Sequence, residues 1–278
     1  MTANAGLARL SLNQRTIRGA TLPEAVTACV TAGVPAIGLW REEVAETGLE
    51  AAAACVADAG LRVSSLCRGG FLTGSTAADR AAALADNRAA IDEAAALGAP
   101  CLVLVVGGLP AGSTDLAAAR DGVRAALRDL ASYAGDRGVR LALEPLHPMY
   151  CADRAVLSTL AQALDWAEEF PAGQVGVVVD TFHVWWDPDL LAQIARAGER
   201  IASYQVSDWI TPLPADVLLG RGMMGDGHID FAPITAAVAT AGYRGDIEVE
   251  IFNQAVWDSP ADQVMTTMCL RYRELIAP

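Results

Sequence analysis

The sequence predicts a single closed (β/α)8 barrel spanning residues 1–278. Short apolar or β-branched runs alternate with longer alanine-rich helical stretches along the whole chain, and no linker interrupts the series. Eight such units in 278 residues average about 35 residues each, which suits parallel strands joined by helical crossovers. No G-x-G-x-x-G motif follows the first strand, so a closed barrel is favoured over an open dinucleotide-binding sheet.

The individual elements follow from this alternation in chain order. Thr21 precedes Pro23 and Glu24, a pattern that predicts a helix N-cap with proline in the first turn. Five glycines each follow a helical run and predict its C-terminal end: Gly33, Gly60, Gly98, Gly138 and Gly242. The eight predicted strands are 9–13, 36–40, 62–66, 101–106, 140–144, 175–180, 201–207 and 247–252.

Composition and charge exclude several classes of protein. Hydrophobic residues make up 53% and charged residues 19% of the chain, so it can bury a large core. The formal net charge is −13, which disfavours nucleic acid and anionic membranes as partners and, more weakly, phosphorylated substrates. All 20 basic residues are arginine, which excludes lysine Schiff-base chemistry and a P-loop lysine.

The cysteines and the apolar segments bear on the cellular compartment. The six cysteines are dispersed and none lies in a C-x-x-C motif, which indicates a reducing environment. No segment has the pattern of a signal peptide, and none approaches the ~18 apolar residues that cross a bilayer. We therefore expect a cytoplasmic protein.

Polar side chains stand at the carboxyl ends of the last four predicted strands. Period-two alternation points Glu144, Asp180, Gln205 and Glu250 into the barrel, at the end where barrel enzymes place their active sites. Three converging carboxylates repel each other, and a cation would relieve this repulsion. Their hard oxygen ligands favour Mn²⁺ or Mg²⁺, while a nearby histidine would also admit Co²⁺, Fe²⁺ or Zn²⁺. Pairing of these acids with arginine, or solvation at the rim, is the alternative.

Four motifs carry a resemblance to a known family. They are E-P-L-H from Glu144, V-D-T-F-H ending at His183, Q-V-S-D from Gln205, and G-D-I-E-V-E-I-F ending at Phe252. Together they resemble the sugar phosphate isomerase/epimerase superfamily, the xylose isomerase-like barrels, over nearly the whole chain.

The resemblance implies a divalent metal held by Glu144, Asp180, Gln205 and Glu250. Most members have histidine where this chain has Gln205, and some dehydratases of the superfamily are similar to it in using glutamine. The amide oxygen favours Mn²⁺ or Mg²⁺ over softer metals.

The resemblance also implies that Glu144 and Glu250 are the catalytic acid/base pair. A metal-bound carbonyl acidifies the adjacent C–H and stabilises an enediolate, so that one carboxylate removes the proton and the other returns it. We expect an isomerase or epimerase of a sugar, keto-sugar or inosose. Loss of a β-hydroxyl would instead give a lyase, a dehydratase of a polyol ketone or of a 3-keto-glycoside, and a non-catalytic sugar-binding barrel is the third possibility.

Seven further residues are predicted to bind a carbohydrate or cyclitol substrate. His183 and Arg221 resemble family residues that contact substrate, and the aromatic faces suit stacking on sugar rings. The other two histidines could equally lie in exposed loops without contacting the substrate. The tryptophans could instead serve in ordinary packing. The set is His183, Arg221, Trp185, Trp186, Trp40, His147 and His228. The resemblance leaves open whether the protein is a homo-oligomer.

Overall fold

Eight parallel strands close into a barrel in the computed structural model, which describes residues 6–277. Each strand pairs with its neighbours in the chain, and the eighth pairs with the first through Leu10 and Ile247. The predicted fold class, a (β/α)8 barrel, is confirmed. In chain order the barrel strands are Leu10–Asn13, Ala36–Trp40, Arg62–Gly70, Cys101–Val105, Arg140–Leu143, Val175–Asp180, Ile201–Val206 and Ile247–Val249.

The third and eighth strands differ most from their predicted bounds. The third strand continues to Gly70, where φ is +110° and an added Cβ would lie 1.9 Å from the carbonyl oxygen of Val105. Glycine therefore lets the third strand approach the fourth beyond its predicted end. The eighth strand stops at Val249. Two residues later, the backbone amide of Ile251 donates to the side-chain hydroxyl of Thr16 and not to a neighbouring strand.

Helices fill the connections between strands. Thr21 and Glu24 form the predicted cap as a reciprocal capping box, and Gly33 ends the first helix in the left-handed conformation. The helices are Leu22–Ala32, Arg41–Thr47, Leu49–Asp58, Ala77–Ala96, Leu116–Gly135, Leu160–Ala167, Thr181–Val184, Leu190–Ala197, Phe231–Thr240, Gln254–Trp257 and Ala261–Leu275. Among residues 6–277, none of these helices has the length and apolar character that crossing a bilayer requires.

The core has two parts, on the two sides of the barrel wall. The larger part lies between strands and helices, and includes Tyr204, whose hydroxyl bonds to Thr235 on the helix Phe231–Thr240. A small apolar cluster fills the inside, with Val103, Ala142 and Val178 among its members. Side chains therefore alternate between the two sides as predicted, and inward polar residues meet at one end of the interior.

Candidate active site

The four predicted metal ligands lie together at the carboxyl ends of the fifth to eighth strands. Asp180 and Gln205 are fully buried and pair in register on neighbouring strands. Glu144 and Glu250 follow their strands by one residue, are also buried, and line a cavity of about 350 Å³ that opens at this end. Asp180 and Gln205 are not among the residues that line this cavity.

Arg221 extends into the same cluster from a two-stranded ribbon beyond the barrel. Its Nη2 lies 2.8 Å from Asp180 Oδ2 and 3.2 Å from Glu250 Oε2, and its Nη1 donates to Ser207 Oγ at 3.1 Å. The ribbon pairs Asp208–Trp209 with Arg221–Gly222. Pairing of the acids with arginine was the alternative that the sequence left open. Arg221 forms such pairs with two of the three acids, Asp180 and Glu250.

The ribbon is held in place by one carboxylate. Asp208 accepts backbone hydrogen bonds from Gly225, Gly227 and Ile229, at 2.8 to 2.9 Å. These bonds tie the glycine-rich loop to the end of the seventh strand. They thereby fix the backbone from which Arg221 projects into the cluster.

One arginine does not balance three carboxylates. Burial, then the charges of Glu250 and Asp180, raise the pKa of Glu144 well above its usual range. Burial raises the pKa of Glu250 to about 8 although Arg221 opposes the shift. Among residues 6–277 Glu144 has no ion pair within 4 Å. The cluster thus disfavours full ionisation of its acids unless a further cation binds.

His183 is buried beside the carboxylates and is neutral. Its Nδ1 accepts a hydrogen bond from the backbone amide of His147 at 3.2 Å. Nε2 lies 3.9 Å from Asp180 Oδ2 and 3.1 Å from Arg221 Nη2. Burial lowers the pKa of His183 to about 3. His183 and Arg221 thus lie in contact at the edge of the cavity.

Gln205 has an amide oxygen without a partner. Its Nε2 donates to Glu248 Oε1 at 3.2 Å, which determines the orientation of the amide. Its Oε1 is buried and has no hydrogen-bond partner in the described part of the chain. An orphaned buried carbonyl oxygen is costly, and a cation would satisfy it.

Glu248 forms the floor of the cluster. Hydroxyl and amide groups hold it. Ser64 and Ser65 donate to its Oε2 at 2.6 and 2.8 Å, and Asn13 donates to its Oε1 at 2.6 Å. Asn13 also donates to Glu250 Oε1 at 3.0 Å, so the floor is connected to a predicted ligand.

Two groups of side chains have the spacing to hold a metal ion. Ligand atoms of Glu144, Asp180 and His183 lie within 4.8 Å of one another, as do those of Cys67, Glu248 and Glu250. The first group contains two of the predicted ligands and adds His183. The donors of Glu144, Asp180, Gln205 and Glu250 are all oxygen, the chemistry that Mg²⁺ and Mn²⁺ prefer.

Only some of the predicted substrate-binding residues reach the cavity. Trp40, His183 and Arg221 line it, whereas Trp185, Trp186, His147 and His228 are not among its lining residues. The short helix Thr181–Val184 follows the sixth strand directly and carries the two tryptophans past His183, away from the cavity.

Those four residues have other contacts. Trp185 packs on Trp209, and Trp186 donates to the carbonyl oxygen of His183 at 2.8 Å. His147 is half-buried between Trp186 and Trp209, with ring centroids 5.5 and 5.1 Å away. His228 is exposed and bonds to Thr211 at 2.8 Å. Their arrangement gives no support to a direct role in substrate binding.

Sequence reasoning missed most of the arginines around the cavity. Arg15, Arg18, Arg68 and Arg154 line it. The net charge of −13 gave no sign of this local excess. Position in the sequence could have revealed two of them, because Arg15 and Arg18 follow shortly after the end of the first strand.

Comparisons with known proteins agree on the fold and divide on the reaction. A family model described as a xylose isomerase-like TIM barrel matches residues 26–271. The solved structure of protein SMc04130 from Sinorhizobium meliloti 1021 is 48% identical, with a TM-score of 0.95, over 98% of this chain and 100% of that one.

Two curated relatives carry names of enzymes. An L-ribulose 3-epimerase of Methylomonas sp. (strain DH-1) is 26% identical over 147 residues, 52% of this chain and 46% of that protein. A 3-dehydroshikimate dehydratase of Pseudomonas aeruginosa is 34% identical over 142 residues, 48% of this chain and 21% of that protein. The matches thus span less than half the length of either relative.

We expect Gly38→Ala to lower the free energy of unfolding by about 1–3 kcal/mol. A Cβ at Gly38 would lie 2.5 Å from the carboxyl carbon of Glu248, which its hydrogen bonds prevent from moving aside. Gly122→Ala is the control, because that helical position is open and alanine should stabilise it by about 0.5–1 kcal/mol. Urea unfolding measures both, and a Gly38→Ala protein as stable as the wild type would show that the floor is not rigid.

We expect the metal-free protein to lose thermal stability as the pH rises from 6.5 to about 8. A carboxyl whose pKa is raised by folding stabilises the fold while protonated, and loses this effect as pH rises through its folded value, about 8 for Glu250. His183 opposes this only below its ordinary value of 6.5, where the unfolded chain takes up a proton. Calorimetry in EDTA measures the trend.

Added Mn²⁺ should remove this loss, because a bound cation favours the ionised carboxylates. A melting temperature that rises across the same interval in EDTA would contradict the account.

Proposed function

Because the chain belongs to the xylose isomerase-like TIM barrel family, we propose that it is a divalent-metal-dependent isomerase or epimerase of a sugar, keto-sugar or inosose. The observation that carries this proposal is a pair of buried carboxyl groups, Glu144 and Glu250, which line one cavity from the fifth and eighth strands. Both have raised pKa values, and that of Glu250 is about 8, near the pH at which an enzyme exchanges protons. The L-ribulose 3-epimerase of Methylomonas supports the same reaction class.

Four residues would hold the metal: Glu144, Asp180, Gln205 and Glu250. The unpartnered amide oxygen of Gln205 and the unbalanced carboxylates fit such an ion, and their oxygens favour Mn²⁺ or Mg²⁺. When bound, the cation would polarise a substrate carbonyl and so acidify the neighbouring C–H. Arg221 now pairs with Asp180 and Glu250, so these acids would serve both cations.

The side chains of the protein would then divide the remaining work. One of Glu144 and Glu250 removes the proton next to the carbonyl, and the other returns it, to the opposite face for epimerisation or to the neighbouring carbon for isomerisation. Arg221, which lines the cavity, would donate to the oxygen on which negative charge develops, and His183 Nε2, 3.1 Å from Arg221 Nη2, would help position that guanidinium. Trp40 offers an aromatic face to the sugar from the cavity wall.

A dehydratase is the second candidate, and Gln205 favours it. The 3-dehydroshikimate dehydratase of Pseudomonas aeruginosa is 34% identical in the matched half of the chain, and the resemblance associates a glutamine ligand with dehydratases. In that reaction one carboxylate removes the proton next to the carbonyl. The C–O bond of the β-hydroxyl breaks, and this group leaves as water with a proton from a second acid.

We expect Glu144→Gln to slow proton exchange at the substrate by about 10²- to 10⁴-fold, because the amide cannot take up a proton. Deuterium incorporation from D₂O into a panel of ketopentoses, ketohexoses and inososes, followed by NMR in the presence of Mn²⁺, measures this rate. Glu50→Gln, an exposed acid on the helix Leu49–Asp58, is the matched control and should exchange at the wild-type rate. Undiminished exchange by Glu144→Gln would contradict the proposal.

The product distinguishes the two candidates. We expect deuterated epimers or isomers and no new chromophore, because one carboxyl group would remove the proton and the other would return it. A dehydratase would generate a conjugated enone or enol, which absorbs in the ultraviolet. Absorbance growing in step with substrate loss, in the same panel, would replace the first candidate by the second.

A further inference from the structure

Arginines line the cavity from its buried base to its exposed opening, in a chain that is strongly acidic overall. Five of them line it: Arg15, Arg18, Arg68, Arg154 and Arg221. Four acids line the same cavity, and two of these, Glu144 and Glu250, belong to the cluster at its base. The net charge of −13, which disfavoured a phosphorylated substrate, therefore does not describe this opening.

Several of these arginines already have acidic partners. Arg221 is paired with Asp180 and Glu250. Arg15 forms ion pairs with Glu42 and Glu43 at 3.2 and 2.9 Å, and Arg154 lies 4.0 Å from Asp153. Their charge is at least partly compensated within the protein.

Arg18 and Arg68 differ from the others. Among residues 6–277, neither guanidinium forms a hydrogen bond or an ion pair within 4 Å. Arg68 is half-buried, and burial lowers its pKa although the charge of Glu42 opposes the shift, so part of its hydration is lost without a direct ion pair. Charged groups withdrawn from water in this way normally have a partner.

Aromatic rings hold both guanidinium groups in position. Arg18 Cζ lies 4.8 Å from the ring centroid of Trp257, and Arg68 Cζ lies 4.3 Å from that of Phe71. Stacking covers one face of the planar group and leaves its N–H edge free for a planar or tetrahedral oxyanion.

The support under Arg68 is strained. Phe71 has φ +51°, a left-handed conformation that is uncommon for a bulky residue. Its ring is 44% exposed although it is large and apolar. The chain thus maintains an unfavourable backbone conformation at the residue that supports Arg68, which has no direct ion pair among residues 6–277.

We propose that the substrate carries an oxyanion, a carboxylate or a phosphate, and that Arg18 and Arg68 bind it at the cavity mouth. The reacting carbon would lie deeper, toward Glu144 and Glu250. The part of this proposal that concerns the substrate rests on the proposed function. Anion binding itself can be measured without turnover.

Matched sugars test the proposal by calorimetry on the full chain: D-glucose, D-glucuronate and D-glucose 6-phosphate. We expect at least one anionic sugar to bind more tightly than glucose by about tenfold or more, since charge-assisted hydrogen bonds replace neutral ones. The affinity should fall with added salt. The anionic sugar with the larger gain in affinity over glucose, D-glucuronate or D-glucose 6-phosphate, identifies the preferred anion.

Variants locate the anion. Arg18→Gln and Arg68→Gln should each weaken binding of the preferred anion by about tenfold, and the double variant should bind it no better than glucose. Arg88→Gln is the matched control, since Arg88 also stacks on an aromatic ring, Tyr133, but lies outside the cavity. Thermal melting checks that every variant folds.

Three results would overturn the proposal. They are equal binding of glucose and both anions, no anion binding at millimolar concentrations, and unchanged anion binding by the folded double variant. None of these depends on proton exchange, so failure here leaves the roles of Glu144 and Glu250 to be judged by the D₂O experiment alone.

Discussion

The burial of three carboxylates around a single guanidinium is the constraint on which the rest of this structure depends. Asp180 and Glu250 share Arg221, and Glu144 has no ion pair in the described part of the chain. At the low effective dielectric of a protein interior such a cluster is costly, and it persists only if protons or another cation relieve it. The raised pKa values of Glu144 and Glu250 show the first solution, and the unpartnered amide oxygen of Gln205 points to the second.

The surroundings of the cluster serve to keep it fixed. Below it, Glu248 accepts from two serines and from Asn13, and it orients the amide of Gln205. Beside it, Asp208 fastens the loop that positions Arg221. Above it, the cavity is lined by four further arginines, Arg15, Arg18, Arg68 and Arg154, and by two further acids, Glu42 and Asp216. The substrate proposed above would meet the buried carboxyl groups with its reacting end and Arg18 and Arg68 with its anionic end.

The sequence was informative where regular geometry decides the outcome. Strand alternation placed Glu144, Asp180, Gln205 and Glu250 at one end of the barrel, because the period of two is fixed by the pleat. It was less informative where irregular segments decide the path of the chain. Trp185 and Trp186 follow a single helical turn whose direction the pattern does not encode, and the 3₁₀ turn after Asn13 brings Arg15 and Arg18 to the mouth. The unpartnered oxygen of Gln205 could not be predicted from the sequence either. Glu248, which accepts from the amide nitrogen of Gln205 and so orients the amide, lies 43 residues away in the chain.

An anomalous-scattering map of crystals soaked in Mn²⁺ tests the central claim most directly. The account predicts one strong peak in contact with oxygens of Glu144, Asp180, Gln205 and Glu250, with Arg221 keeping at most part of its present pairing. A map without a peak there, in crystals where Arg221 still bridges Asp180 and Glu250, would show that the arginine is the only counter-ion this cluster needs and would contradict the account.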